Sequence, residues 1–107
     1  MEREGFVMIK IINGKGFHLE FENGLIISVQ IGYGNYCENY NLDNAIAVER
    51  TPRKMECKNA EIAIWDKNGN WVTKDFIKDL DDDVVGYIEA DEIADLIYKV
   101  KSKEREL

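Results

Sequence analysis

The stretch FHLEFENGLIISVQI, residues 17–31, decides the fold. Phe17, Leu19 and Phe21 alternate with His18, Glu20 and Glu22, the period of two that puts one face of a strand in a core and the other in water. After Asn23-Gly24 the pattern resumes, with Leu25, Ile27, Val29 and Ile31 on one face and Ile26, Ser28 and Gln30 opposite. An Asn-Gly pair between two such runs predicts a hairpin, because both residue types tolerate positive φ. Residues 17–22 and 25–31 are therefore expected as antiparallel strands.

Upstream, the apolar run 6–12 ends at a second Asn-Gly pair, Asn13-Gly14, which adds a strand and makes a three-stranded meander. Downstream, residues 32–44 are polar, aromatic and rich in Gly and Asn, and read as a long loop. Residues 45–49 read as a short edge strand, and 50–58 as a basic stretch interrupted by Pro52. A second hairpin is expected from a strand at 60–65, a turn over Lys67-Asn68-Gly69 and a strand at 70–73. An acidic connection then leads to an apolar strand at 84–88. From Ala90 the period changes: Ile93, Leu96, Ile97 and Val100 fall at helical spacing on one face. Asp91 and Glu92 in the first turn and Lys99, Lys101 and Lys103 near the end complement the helix dipole. The expectation is a single α+β domain spanning residues 1–107: an antiparallel sheet, meander plus second hairpin, packed by a C-terminal amphipathic helix.

With 107 residues, 45% hydrophobic content and one proline, the chain has the composition of one globular domain. No apolar run is long enough to span a bilayer, and the opening MEREGF lacks the basic and apolar regions of a signal peptide. Cys37 and Cys57 show no metal-ligand spacing, which suits reduced thiols in a cytoplasmic protein, a disulfide being the alternative. The net charge of −7 is uneven: residues 75–95 hold nine acids and one lysine. Such a field repels phosphate backbones, so direct nucleic-acid binding is not expected. A solvated face that keeps the chain soluble also accounts for it.

The sequence offers no catalytic set. The one histidine, His18, sits on the polar side of a strand with no nucleophile elbow in the chain, and reads as a solvent-exposed strand residue. Asp66, Asn68 and Asn70 resemble the start of a calcium loop, but Trp71 and Ile77 stand where that loop needs Gly and Glu. Asp81-Asp82-Asp83 is read as solvated charge rather than a metal site, and no cofactor is expected. Two features suit binding. Tyr33, Asn35 and Tyr36, in the Gly-rich segment after the third strand, offer stacking faces and amide groups for a nucleobase or sugar. Arg50 and Arg53 lead a cluster of four cations in nine residues that suits one or two phosphates, or pairs with the acidic connection. Trp65 projects from its strand away from Ile62 and Ile64, so a solvated second face would make it an exposed aromatic platform.

Three blocks, ISVQIGYGNYCEN (residues 27–39), AEIAIWDKNGNWV (60–72) and VVGYIEADEIADLI (84–97), in that order and spacing, resemble the Thoeris anti-defence sponge family of small phage proteins. The resemblance implies an antiparallel sheet with C-terminal helices and a homo-oligomer. It also implies a phage-encoded protein that works in the host cytoplasm without enzymatic activity. It would sequester a small-molecule signalling nucleotide, a cyclic ADP-ribose isomer or in some members a cyclic oligonucleotide, without cleaving it. By their own chemistry rather than by the resemblance, Tyr33, Asn35, Tyr36, Arg50, Arg53 and Trp65 are the expected ligand-binding residues. The competing expectation is an acidic protein–protein inhibitor whose strip at 75–95 imitates nucleic acid and blocks a host nuclease.

Overall fold

The computed structural model of the chain describes residues 7–12, 15–31 and 56–104. Five strands form one antiparallel sheet in sequence order: β1 (Met8–Ile12), β2 (Gly16–Glu20), β3 (Ile26–Gln30), β4 (Asn59–Trp65) and β5 (Val84–Glu89). Helix α1 (Ala90–Ser102) follows β5 directly and packs on one face against β3 and β5. The α+β class read from the sequence is the one observed. The loop expected at 32–44 and the edge strand at 45–49 lie outside the described residues.

Alternation sorts the side chains correctly. Phe17 and Leu19 on β2 stand opposite Val29 and Ile27 on β3, which in turn oppose Ile62 and Ile64 on β4. Ile27, Ile62 and Ile64 are fully buried, as is Val100 from the helix, with Leu96, Ala60 and Ile88 around them. Each large aliphatic side chain removed from water in this way contributes about 1.5–3 kcal/mol. Ile93 and Ile97 complete the helical stripe as half-buried flanks.

The turn after β2 is one residue longer than the expected Asn23-Gly24 pair, whereas the second hairpin turns over Lys67-Asn68-Gly69 as read from the sequence. Gly24 N–H donates to Phe21 O, Phe21 N–H donates to Leu25 O, and Gly24 alone carries positive φ, at 89°. The 66–70 turn repeats this, with Gly69 N–H to Asp66 O, Asp66 N–H to Asn70 O and Gly69 at φ 85°. Both are therefore three-residue loops closed by a left-handed glycine. That geometry frees the asparagine. Asn23 Oδ1 accepts from Leu25 N–H, and its Nδ2 donates to the carbonyls of Val100 at 2.8 Å and Lys103 at 3.0 Å. The meander turn thus caps the C-terminal end of the helix, where carbonyls have no partner within the helix.

The second hairpin is shorter than its alternation suggests. Residues 70–73 form no strand: one bridge joins Trp65 and Trp71, and a 3₁₀ turn then begins at Thr73. Thr73, fully buried, replaces the missing ladder. Its Oγ1 accepts from Ile64 N–H at 3.0 Å and lies 2.6 Å from Asp83 O and 3.2 Å from Ile64 O, one of which receives its single proton. One hydroxyl therefore ties β4 to the start of β5.

β5 carries an irregularity that no sequence period announces. Val85 opposes Ile62 and Ile88 opposes Ala60, so Gly86 and Tyr87 together face the single residue Glu61. This bulge brings Val85 and Ile88 onto the core face although they are three positions apart. Tyr87 takes the left-handed conformation it requires, at φ 59°. At the other end, β2 must begin with glycine: a Cβ on Gly16 would collide with Val29 O and lie 2.8 Å from Gln30 Cα.

Thr73→Val tests the hydroxyl bridge. The isosteric change leaves Ile64 N–H buried without its acceptor, and is expected to cost about 1–3 kcal/mol. It should lower the urea midpoint at unchanged slope, and a midpoint equal to wild type would mean that the bridge adds no stability.

Candidate functional site

The sheet face away from the helix carries the polar set of the alternation, with a cluster of rings at its centre. His18 on β2 and Trp65 on β4 meet edge-to-face, centroids 5.0 Å apart at 84°. Trp65 meets Trp71 in the same manner, at 5.5 Å and 71°. Such edge-to-face pairs are favourable beyond the area they bury. Beneath them Ser28, the register partner of both His18 and Ala63, is buried together with Ala63 although both lie on the outer face. Ser28 Oγ accepts from Gln30 Nε2 at 3.0 Å.

The turn between the two indoles is built to hold them. Asp66 Oδ1 accepts from the backbone N–H groups of Asn68 and Asn70, and Oδ2 accepts from Asn70 Nδ2. These bonds, those from Asn70 first, hold the Asp66 carboxyl below the usual range. The carboxylate is thereby committed to its own turn, as the hairpin reading of this segment requires. Among the described residues no group of three or more His, Cys, Asp or Glu side chains is placed to hold a metal ion.

Of the six expected ligand-binding residues, the structure describes one. Tyr33, Asn35, Tyr36, Arg50 and Arg53 lie outside the described residues. Trp65 points away from the core, as read from the sequence, but it is half-buried between His18 and Trp71 rather than fully open. Within this cluster the exposed ring is Trp71, at 51%. His18 also departs from its reading, being half-buried rather than solvent-exposed. The sequence signal for both was the same. A residue on the outer face of an alternating strand is read as solvated unless rings from two other segments converge on it, and alternation within one strand does not show that.

Burial holds the His18 imidazole below its ordinary pKa. Glu20 opposes this effect and Lys10, paired with Glu20 at 2.7 Å, adds to it. The environment of this ring at the edge of the cluster therefore disfavours its charged form. A face so composed can stack a planar ring on Trp71 and offer polar edges from Gln30, Glu20 and Lys10. On the helix side a cleft of about 320 Å³ opens between Phe76, Ile77 and Leu96, with Lys78, Lys99, Glu92 and Asp95 at its rim. Two cations and two carboxylates cancel there, so that cleft has no net attraction for an anion. No helix among the described residues is long and apolar enough to cross a membrane.

Comparison with protein-family models, with curated protein sequences and with solved structures finds no match to this chain.

Because the chain has a single histidine, one imidazole proton resonance reports His18. Its NMR titration is expected to give a pKa below the ordinary value of about 6.5. Between the two values the unfolded chain binds more protons than the native one, so His18 lowers stability as pH falls through that window and has no such effect above it. A midpoint at or above the ordinary value would contradict burial as the dominant influence on the ring.

Proposed function

We propose that this protein captures a small nucleotide-derived signal and holds it without cleaving it. The observation that carries the proposal is the ring cluster on the outer face of the sheet, with Trp71 half open to solvent and Trp65 braced behind it by His18. A braced indole loses little freedom on stacking a base, which favours tight ground-state binding. An enzyme would instead have to favour the transition state. The resemblance of residues 27–39, 60–72 and 84–97 to the Thoeris anti-defence sponges supplies the ligand class: a cyclic ADP-ribose isomer, with cyclic oligonucleotides as the second class. It also supplies the setting, a phage-encoded immune-evasion protein acting in the host cytoplasm. Tyr33, Asn35 and Tyr36 are proposed to complete the stacking and polar contacts, and Arg50 and Arg53 to hold the phosphates.

Calorimetry with cyclic ADP-ribose isomers and with cyclic di- and trinucleotides tests this reading. Heat from one of them, and recovery of the intact ligand after denaturation, is the expected result. Silence from all of them, or a hydrolysed product, would overturn it. Trp71→Ala is expected to weaken binding by about 1–3 kcal/mol, the scale of one base–aromatic stack, while leaving the far-UV spectrum unchanged.

The acidic inhibitor remains the second reading because eight of the nine carboxylates between Asp75 and Asp95 are exposed, Asp83 being the half-buried one. The joint change of Asp81, Asp82 and Asp83 to Asn separates the two. Nuclease inhibition lost in that variant, and weakening steeply with salt in wild type, would select the inhibitor. Unchanged nucleotide binding in the variant is expected under the capture reading.

A further inference from the structure

Four of the large apolar side chains that stand exposed belong to one segment: Val7 at 53%, Met8 at 44%, Ile9 at 68% and Ile11 at 76%. Ile9 and Ile11 lie opposite Leu19 and Phe17, on the core face of the sheet, yet nothing among the described residues covers them. Among the described residues β1 is also an edge strand. Its free hydrogen-bonding groups can be assigned. Phe21 N–H donates to Leu25 O and Ile31 N–H donates to Lys15 O, so the odd-numbered residues of β2 face β3. Alternation then turns Gly16, His18 and Glu20 toward Ile12, Lys10 and Met8 of β1. The outward N–H and C=O groups of β1 are therefore those of Ile9 and Ile11, the same two residues whose side chains are uncovered.

We propose that β1 pairs antiparallel with β1 of a second copy of this chain about a two-fold axis at Lys10, joining two five-stranded sheets edge to edge. The segment MIKII is self-complementary in that register. Ile9 faces Ile11 of the partner subunit in both hydrogen-bonded pairs, which gives four ladder bonds and continues the apolar face across the join. Met8 faces Ile12 of the partner subunit on the other side. The two Lys10 side chains oppose each other, a like-charge contact that would normally protect an edge. Here Lys10 Nζ is already 2.7 Å from Glu20 Oε2, so each lysine brings its own counter-ion and the pair meets without net charge. Among the described residues β1 has no proline and no inward-pointing charge to block such pairing.

The pairing predicts different fates for two kinds of variant. Ile11→Pro removes an outward N–H without touching the ladder to β2, a position where an edge strand accepts proline. Ile9→Lys with Ile11→Lys charges the exposed side chains and leaves the backbone alone. Light scattering on the full chain at micromolar concentration is expected to give twice the chain mass, or a multiple of that, for wild type. Both variants should lose at least half of that mass while keeping native near-ultraviolet circular dichroism. In wild type the Ile9 and Ile11 amide protons should exchange slowly, as ladder groups do. A monomeric wild type overturns the proposal whatever its exchange pattern, and so does a wild-type mass retained in both variants. Fast-exchanging Ile9 and Ile11 amides in an assembled wild type overturn it as well, and that measurement needs no variant to fold.

Discussion

Among the described residues one helix has to cover one face of five strands, and the geometry does not quite allow it. Thirteen residues at 1.5 Å each give α1 a length of about 20 Å and a width near 10 Å, against a sheet roughly 19 Å across. The helix settles over the centre and the β5 side, where Leu96 and Val100 meet Ile27, Ile62, Ile64 and Ile88. Every element near that contact is tightly specified. Elements far from it, β1 above all, keep apolar side chains that the helix cannot reach.

The specification near the contact comes from single polar atoms placed against backbone. Thr73 supplies to β4 the partner that a shortened hairpin cannot, and Asn23 adds a donor at the end of α1, to the carbonyls of Val100 and Lys103, beside the Lys103 N–H that Val100 O already accepts. Both were visible as residue types in the sequence, and neither was legible as a contact. Alternation and helical period are properties of neighbours in the chain, so they found the meander, the core faces of β2, β3 and β4, and the stripe Ile93, Leu96, Ile97 and Val100. Contacts such as Thr73 to Asp83, or Asn23 to Val100, depend on which segments meet, and no local period carries that. The bulge at Tyr87 belongs to the same class. Only a sheet that needs both Val85 and Ile88 inward asks a tyrosine to adopt a left-handed backbone, at a cost of about 1–2 kcal/mol.

The candidate site was legible in part and for the same reason. The direction of Trp65 followed from its parity with Ile62 and Ile64. Its closeness to His18 follows from β2 and β4 flanking β3, and its closeness to Trp71 from a turn held by one aspartate. The outer face therefore carries a miniature core of its own, with Ser28 and Ala63 as its floor. Two ring contacts brace Trp65 and leave Trp71 half open, an arrangement of a rigid support and a free surface that suits recognition of a planar group.

The bond from Asn23 to Val100 also bears on the order in which the chain can be assembled. It spans 77 positions, whereas the meander that contains Asn23 closes over loops of a few residues. The hairpins of β1, β2 and β3 can form on the timescale of local chain motion, but the clamp must wait for the last element in the order to be made. Until α1 arrives, Ile27 and Val29 stand on an open face. On a ribosome this protein would therefore pass through an interval in which its central strand is present, paired and unroofed.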